Sequence, residues 1–188
     1  MSQVPRNDIP VLNIPNVLTG LRLAVVPVFA WLLLTGEQTD VRQWITLLVF
    51  LAASLTDLVD GMWARRYNLI TNFGKIADPI ADKALTGTAL VGLSIIGDVP
   101  WWATFVIIVR EVAVTVLRFR VIDRVVIPAS QGGKWKTGAQ ITAIALYLAP
   151  LGGVVTKLGE VMMIVAVALT ITTGMDYAGK ARGLPPTS

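Results

Sequence analysis

The sequence predicts an all-α integral membrane protein, with six transmembrane helices around a polar active-site cavity on the cytoplasmic side. Three observations predict it. Of 188 residues, 54% are hydrophobic and 15% charged, with mean hydropathy +0.67; soluble domains carry about 25% charged residues. Apolar stretches of roughly the twenty residues needed to cross a hydrocarbon core recur along the chain. Four aspartates, Asp57, Asp60, Asp78 and Asp82, lie inside two of these stretches. An ionisable group at that depth is costly and normally faces a protein-lined cavity in which it serves a function.

The elements follow in order. In the N-terminal segment, residues 1–14, Pro5 and Pro10 make Val4–Ile14 an irregular amphipathic stretch, either along the membrane interface or a frayed tail. Met1–Asp8 leads into no apolar h-region and does not read as a signal peptide. Spans are expected at Pro15–Leu34, Trp44–Ala64, Ile76–Ile96, Pro100–Val121, Gly138–Val155 and Leu158–Tyr177. The fifth is short and contains Pro150 and Gly152-Gly153. Trp31, Trp44, Trp101, Trp102 and Trp135 fall near the expected ends, as an aromatic belt does. All 16 basic residues except Arg42 and Lys157 lie on one side. The positive-inside rule then puts both termini and the aspartates on the cytoplasmic side of the cell membrane. It also accounts for the net charge of +4, so no nucleic-acid partner is expected. With no internal repeat, residues 1–188 read as a single domain.

The absence of Cys and His excludes disulfides, thiol chemistry and histidine ligands or bases. Oxygen donors remain, and these suit hard cations such as Mg or Mn. On a helix, Asp57, Asp60, Gly61 and Ala64 fall within about 100° of arc, placing two carboxylates beside two minimal side chains. Asp78 and Asp82 form the opposing half. Pro79 fits a first helical turn, which would put Asp78 near a helix N-terminus, after a cytoplasmic turn from Arg65 to Phe73. An isolated Asp-x-x-Asp is usually a solvated face, but the flanks Leu47–Leu55 and Ala84–Val91 are too apolar for that. Four uncompensated carboxylates would repel one another and stay partly protonated. Two divalent cations would resolve the repulsion and give a two-metal phosphoryl-transfer site.

The pattern Asp57-x2-Asp60-Gly61-x2-Ala64-Arg65-x8-Gly74-x3-Asp78-x3-Asp82 resembles the signature of the CDP-alcohol phosphotransferase family at every defined position. The resemblance implies that Asp57, Asp60 and Asp78 hold two divalent cations, Mg or Mn. It implies that Asp82 both assists with metal and acts as the general base. Gly61, Ala64 and Gly74 would make room for the cytidine nucleotide, and Arg65 and Thr71 would contact its phosphates; helix packing and a turn are the other reading of the two glycines. Ile14-Pro-Asn16-Val-Leu-Thr19-Gly-Leu-Arg22, Asp78-Pro-Ile-Ala-Asp82-Lys83, Arg110-Glu111 with Arg118, and Gly133-Lys134-Trp-Lys136-Thr137 are similar to the branch whose acceptor is glycerol 3-phosphate. The implied reaction moves the phosphatidyl group of CDP-diacylglycerol to that acceptor, giving phosphatidylglycerophosphate and CMP. The family also implies a homodimer among membrane lipids.

Arg110, Arg118, Lys134 and Lys136 would suit the acceptor's phosphate. The competing readings are lipid-headgroup anchors for the lysines and a simple internal pair of Arg110 with Glu111. Arg22 either reaches the site or snorkels to the interface. Inositol phosphate, serine or another alcohol remain alternative acceptors. From a different class, a divalent-cation transporter would also use intramembrane carboxylates, but it would place them at the midplane and carry an inverted repeat.

Overall fold

The computed structural model describes residues 14–66, 72–121 and 131–182, and side chains at 17–56, 80–81, 83–117, 131–177 and 179. The chain is all-helical over these residues: α1 (Ile14–Leu34), α2 (Asp40–Arg66), α3 (Asn72–Ile95), α4 (Trp101–Val121), α5 (Gln131–Leu148) and α6 (Gly153–Arg182). Among the described residues there is no strand. Two helical segments, Val17–Leu34 and Gly153–Tyr177, are long and apolar enough to cross a membrane.

Local chemistry sets the helix ends. The last carbonyls of an α-helix lack intrahelical donors. At α1 they are met by Arg42, whose Nε donates to the Leu32 carbonyl at 2.8 Å and whose Nη2 donates to the Trp31 carbonyl at 2.9 Å. The same guanidinium lies 4.9 Å from the Trp31 ring centroid. One of the two basic residues that stand apart in the charge pattern is therefore a helix cap. At the end of α3, Gly97 takes φ 91°, and the Asp98 and Val99 amides both donate to the Leu93 carbonyl, at 2.9 and 3.2 Å.

The ends of α3, α5 and α6 differ from the sequence reading. Hydropathy places the fifth helix over Gly138–Val155 and starts the sixth at Leu158; α5 instead runs Gln131–Leu148, and α6 opens at Gly153. Pro150 cannot continue a helix, and Gly152 and Gly153 take φ 55° and 47°, a left-handed conformation open chiefly to glycine. The break therefore falls at residues that the expected span encloses. α3 opens at Asn72, so Asn72 and Phe73 are helical, and Pro79 lies within the helix rather than in its first turn. α1 likewise contains Pro27. Helices packed in a membrane tolerate an interior proline because neighbouring groups satisfy the freed carbonyl.

α1 packs on α2 and α3, α5 on α6, and α4 on α6 and α3, while α2 also meets α5. The shared core includes Phe29, Phe50, Leu85, Leu93, Ile107 and Ile144, with Phe29 and Phe50 ring centroids 5.8 Å apart. Gly92 lets α1 and α3 approach: a Cβ there would collide with the Leu33 side chain. The interior also holds polar groups, among them Thr46, Thr170, Gln140 and the Ser94–Thr104 hydroxyl pair at 2.7 Å. The outer face of α4 is a stripe of exposed Phe105, Val109, Val112 and Val116. Polar groups inside and an apolar surface outside match a hydrocarbon surround.

Candidate active site

α2 is helical through Asp57, Asp60, Gly61, Ala64 and Arg65, and α3 through Gly74, Asp78 and Asp82. The helical register assumed for the two carboxylate pairs is thus present in the backbone, and α2 and α3 are in contact. The side chains of these eight residues, and of Arg118, lie outside the described residues, as does Thr71 altogether. The donor set, all carboxylate oxygen in a chain with no His or Cys, fits a hard divalent cation. Among the described residues, which leave out the four aspartate side chains, no group of three or more potential metal ligands gathers.

The described part of the site begins one residue beyond the motif. Lys83 follows Asp82 on α3, and its Nζ pairs with Oε2 of Glu111 on α4. The other carboxylate oxygen, Oε1, takes Lys136 Nζ from α5 and Arg110 Nη1, the latter at 3.2 Å. On its far side Arg110 donates through Nη2 to Thr173 Oγ1 of α6 at 2.9 Å. Thr173 can accept because its own hydroxyl proton is directed at the Leu169 carbonyl, 2.6 Å away. Arg110 lies along α6 at Gly174, where a Cβ would stand 3.2 Å from Arg110 Cγ. Lys136 is 6% exposed, Glu111 13%, Arg110 16% and Lys83 29% in their side chains. One carboxylate thus gathers three cations from three helices, and a fourth helix fixes one of them.

The structure sorts the sequence candidates. Arg110 and Lys136 come together. Lys134, two residues from Lys136 and so about 200° round the helix, is exposed on another face. The Arg110–Glu111 pair exists, but within a larger cluster. Arg22 does not snorkel to the interface: it is 3% exposed, and its Nε donates to the Ala53 carbonyl at 3.4 Å, one turn before Asp57. Sequence reasoning assigns no role to Lys83, Thr173 or Gly174. Glu111 has a signal in the sequence, as the sole acid of α4, next to Arg110. Thr173 and Gly174 have none, since a Thr-Gly pair in a hydrophobic helix is ordinary.

This fold and motif define a class. The family model for CDP-alcohol phosphatidyltransferases matches residues 12–172, and the chain belongs to that family. Its members are membrane-integral transferases that use divalent metal ions. Among relatives, a Mycobacterium tuberculosis protein named probable phosphatidylglycerophosphate synthase is 48% identical over 170 residues, covering 90% of this chain and 81% of that one. The CDP-diacylglycerol–glycerol-3-phosphate 3-phosphatidyltransferase of Bacillus subtilis is 38% identical over 182 residues, covering 89% and 94%. A CMP-forming cardiolipin synthase of Streptomyces coelicolor is 41% identical over 111 residues, covering 57% of this chain and 50% of that one.

Proposed function

We propose that this chain transfers the phosphatidyl group of CDP-diacylglycerol to sn-glycerol 3-phosphate, giving phosphatidylglycerophosphate and CMP. The observation that carries this is the similarity, over 90% and 89% of this chain, to relatives named for that reaction, within the family that the aspartate motif resembles.

Asp57, Asp60, Asp78 and Asp82 would hold two divalent cations, Mg or Mn. Bound there, the cations would neutralise the pyrophosphate and the departing CMP. Asp82 takes the proton of the acceptor hydroxyl as its oxygen attacks the β-phosphorus in line. The bond from that phosphorus to the oxygen of CMP breaks, and the proton stays on Asp82 until solvent removes it. Transfer is direct, because the aspartates are engaged as metal ligands and proton acceptor and the acceptor hydroxyl is the nucleophile. Gly61, Ala64 and Gly74 leave space for the nucleotide, with Arg65 and Thr71 toward its phosphates. Arg110 and Lys136, with Arg118 and Lys134, attract the acceptor's phosphate.

Residues 1–188 form one domain of six crossing helices, with both termini and the cavity at the cytoplasmic face of the cell membrane. Among the described residues, Val17–Leu34 and Gly153–Tyr177 are long and apolar enough to cross, and Lys83–Ile95 is a shorter apolar helix. The protein acts as a homodimer among membrane lipids. The test is purified protein with CDP-diacylglycerol and glycerol 3-phosphate, inositol phosphate, serine or phosphatidylglycerol, with the lipid product identified by mass. Phosphatidylglycerophosphate formed with Mg or Mn, and lost with EDTA, is expected. A product from phosphatidylglycerol alone would move the chain to the cardiolipin branch, and full activity in EDTA would sink the two-metal site.

A further inference from the structure

Glu111 belongs to no part of the aspartate motif, yet it is the meeting point of α3, α4 and α5. Its two oxygens divide the work: Oε2 takes Lys83, and Oε1 takes Lys136 and Arg110. As a device for stability alone this is a poor arrangement. Buried ion pairs contribute little net stability after desolvation, and three cations round one carboxylate repel one another. The crowding becomes favourable when a second anion enters. Arg110 Nε is buried and has no hydrogen-bond partner among the described residues, so the guanidinium still has a donor to offer. Lys83 adjoins Asp82 in the chain, so an anion held by this cluster lies beside the carboxylate motif.

We infer that Glu111 is a positioning residue for the acceptor: it draws Lys83, Arg110 and Lys136 into one cradle for a phosphate monoester, and Thr173 locks the far side of Arg110. The inference rests on the acceptor reading above and adds the group that assembles the cradle. Glu111 touches neither substrate. It acts through the geometry of its cations and through Lys83, which fixes the cradle to the helix carrying Asp82.

Positioning and simple charge balance make opposite predictions. If Glu111 merely offset positive charge, its neutralisation would free three cations and tighten phosphate binding. If it positions them, neutralisation lets long flexible side chains splay and weakens binding. The experiment is steady-state kinetics of the full-length enzyme with both substrates for Glu111→Gln, Glu111→Asp, Thr173→Val and Arg110→Ala, with thermal unfolding of each. Glu111→Gln should raise the glycerol 3-phosphate KM about tenfold or more, the scale of a lost charge-assisted contact. The CDP-diacylglycerol KM should stay within about twofold, and Glu111→Asp should recover part of the loss. Thr173→Val leaves Glu111 intact and removes one hydroxyl from α6. It should raise the acceptor KM roughly three- to tenfold at an unchanged unfolding midpoint, the scale of one hydrogen bond. An acceptor KM that falls or stays level in Glu111→Gln overturns the inference. Should that variant fail to fold, a level KM in Thr173→Val does so. If Arg110→Ala leaves the acceptor KM unchanged, the acceptor reading itself is wrong. If Arg110→Ala raises it while Glu111→Gln does not, only the positioning role falls.

Discussion

The carboxylate motif and the Glu111 cluster adjoin at Asp82 and Lys83, yet they are built in different ways. The motif is one run from Asp57 to Asp82 over two consecutive helices, and its faces follow from helical spacing. The cluster joins residues 25, 28 and 63 positions apart, drawn from α3, α4, α5 and α6. One is a local pattern repeated in the primary structure. The other exists only where four helices pack. The proposed chemistry divides the same way, with metal, nucleotide and proton transfer on the motif, and the acceptor's phosphate on the cluster.

Substitutions in the two regions should therefore damage different constants. The largest effect is expected at the motif. Asp82→Asn should lower kcat by about 10²–10⁴ while CDP-diacylglycerol and metal still bind within a few-fold, the usual cost of losing a general base. Titrating turnover with Mn checks this. If high metal restores Asp82→Asn as fully as Asp57→Asn, the base lies elsewhere and the motif is only a metal site.

Arg110→Ala comes next. It removes contacts to Glu111 and Thr173 together with a donor for the acceptor. The glycerol 3-phosphate KM should rise roughly ten- to a hundredfold, since each 1.4 kcal/mol is a factor of ten. Equal damage to the CDP-diacylglycerol KM would erase the division between the regions.

A finer cut compares the two lysines of α5. Lys136→Ala should raise the acceptor KM about tenfold, as loss of one charge-assisted contact does. Lys134→Ala, on the exposed face, should stay within about twofold, as most surface substitutions do. Equal effects would extend the cradle to the outer face of α5.

The smallest expected effect is at Gly174. A methyl group there would stand 3.2 Å from Arg110 Cγ and 3.5 Å from its Nε. Gly174→Ala should shift Arg110 by a few tenths of an ångström and raise the acceptor KM about two- to fivefold, a modest overpacking strain. A kcat effect without a KM effect would mean that α6 acts on the motif rather than on the cluster.

Much of this molecule is legible in its amino-acid order. Hydropathy points to the helical membrane class; every expected span overlaps a helix, and the ends of α1 and α4 fall close to the reading. Where the two differ, a local rule is weighed too lightly or too heavily. Pro150 and the glycines at 152 and 153 sit inside an expected span although they break it. Pro79 reads as a helix start although packed membrane helices admit it inside.

The sequence by itself determined the family and the motif, because carboxylates at separations of three and four residues share a helical face whatever surrounds them. Only the tertiary structure decided which basic residues act together. Lys134 and Lys136 are equivalent in the sequence, yet one is exposed and the other is 5% exposed overall against Glu111. Thr173 and Gly174 become visible as supports of Arg110 only once α4 lies against α6. The physical reason is range. Backbone periodicity fixes the neighbours of a residue within two turns, while partners on other helices are chosen by the packing of the whole bundle.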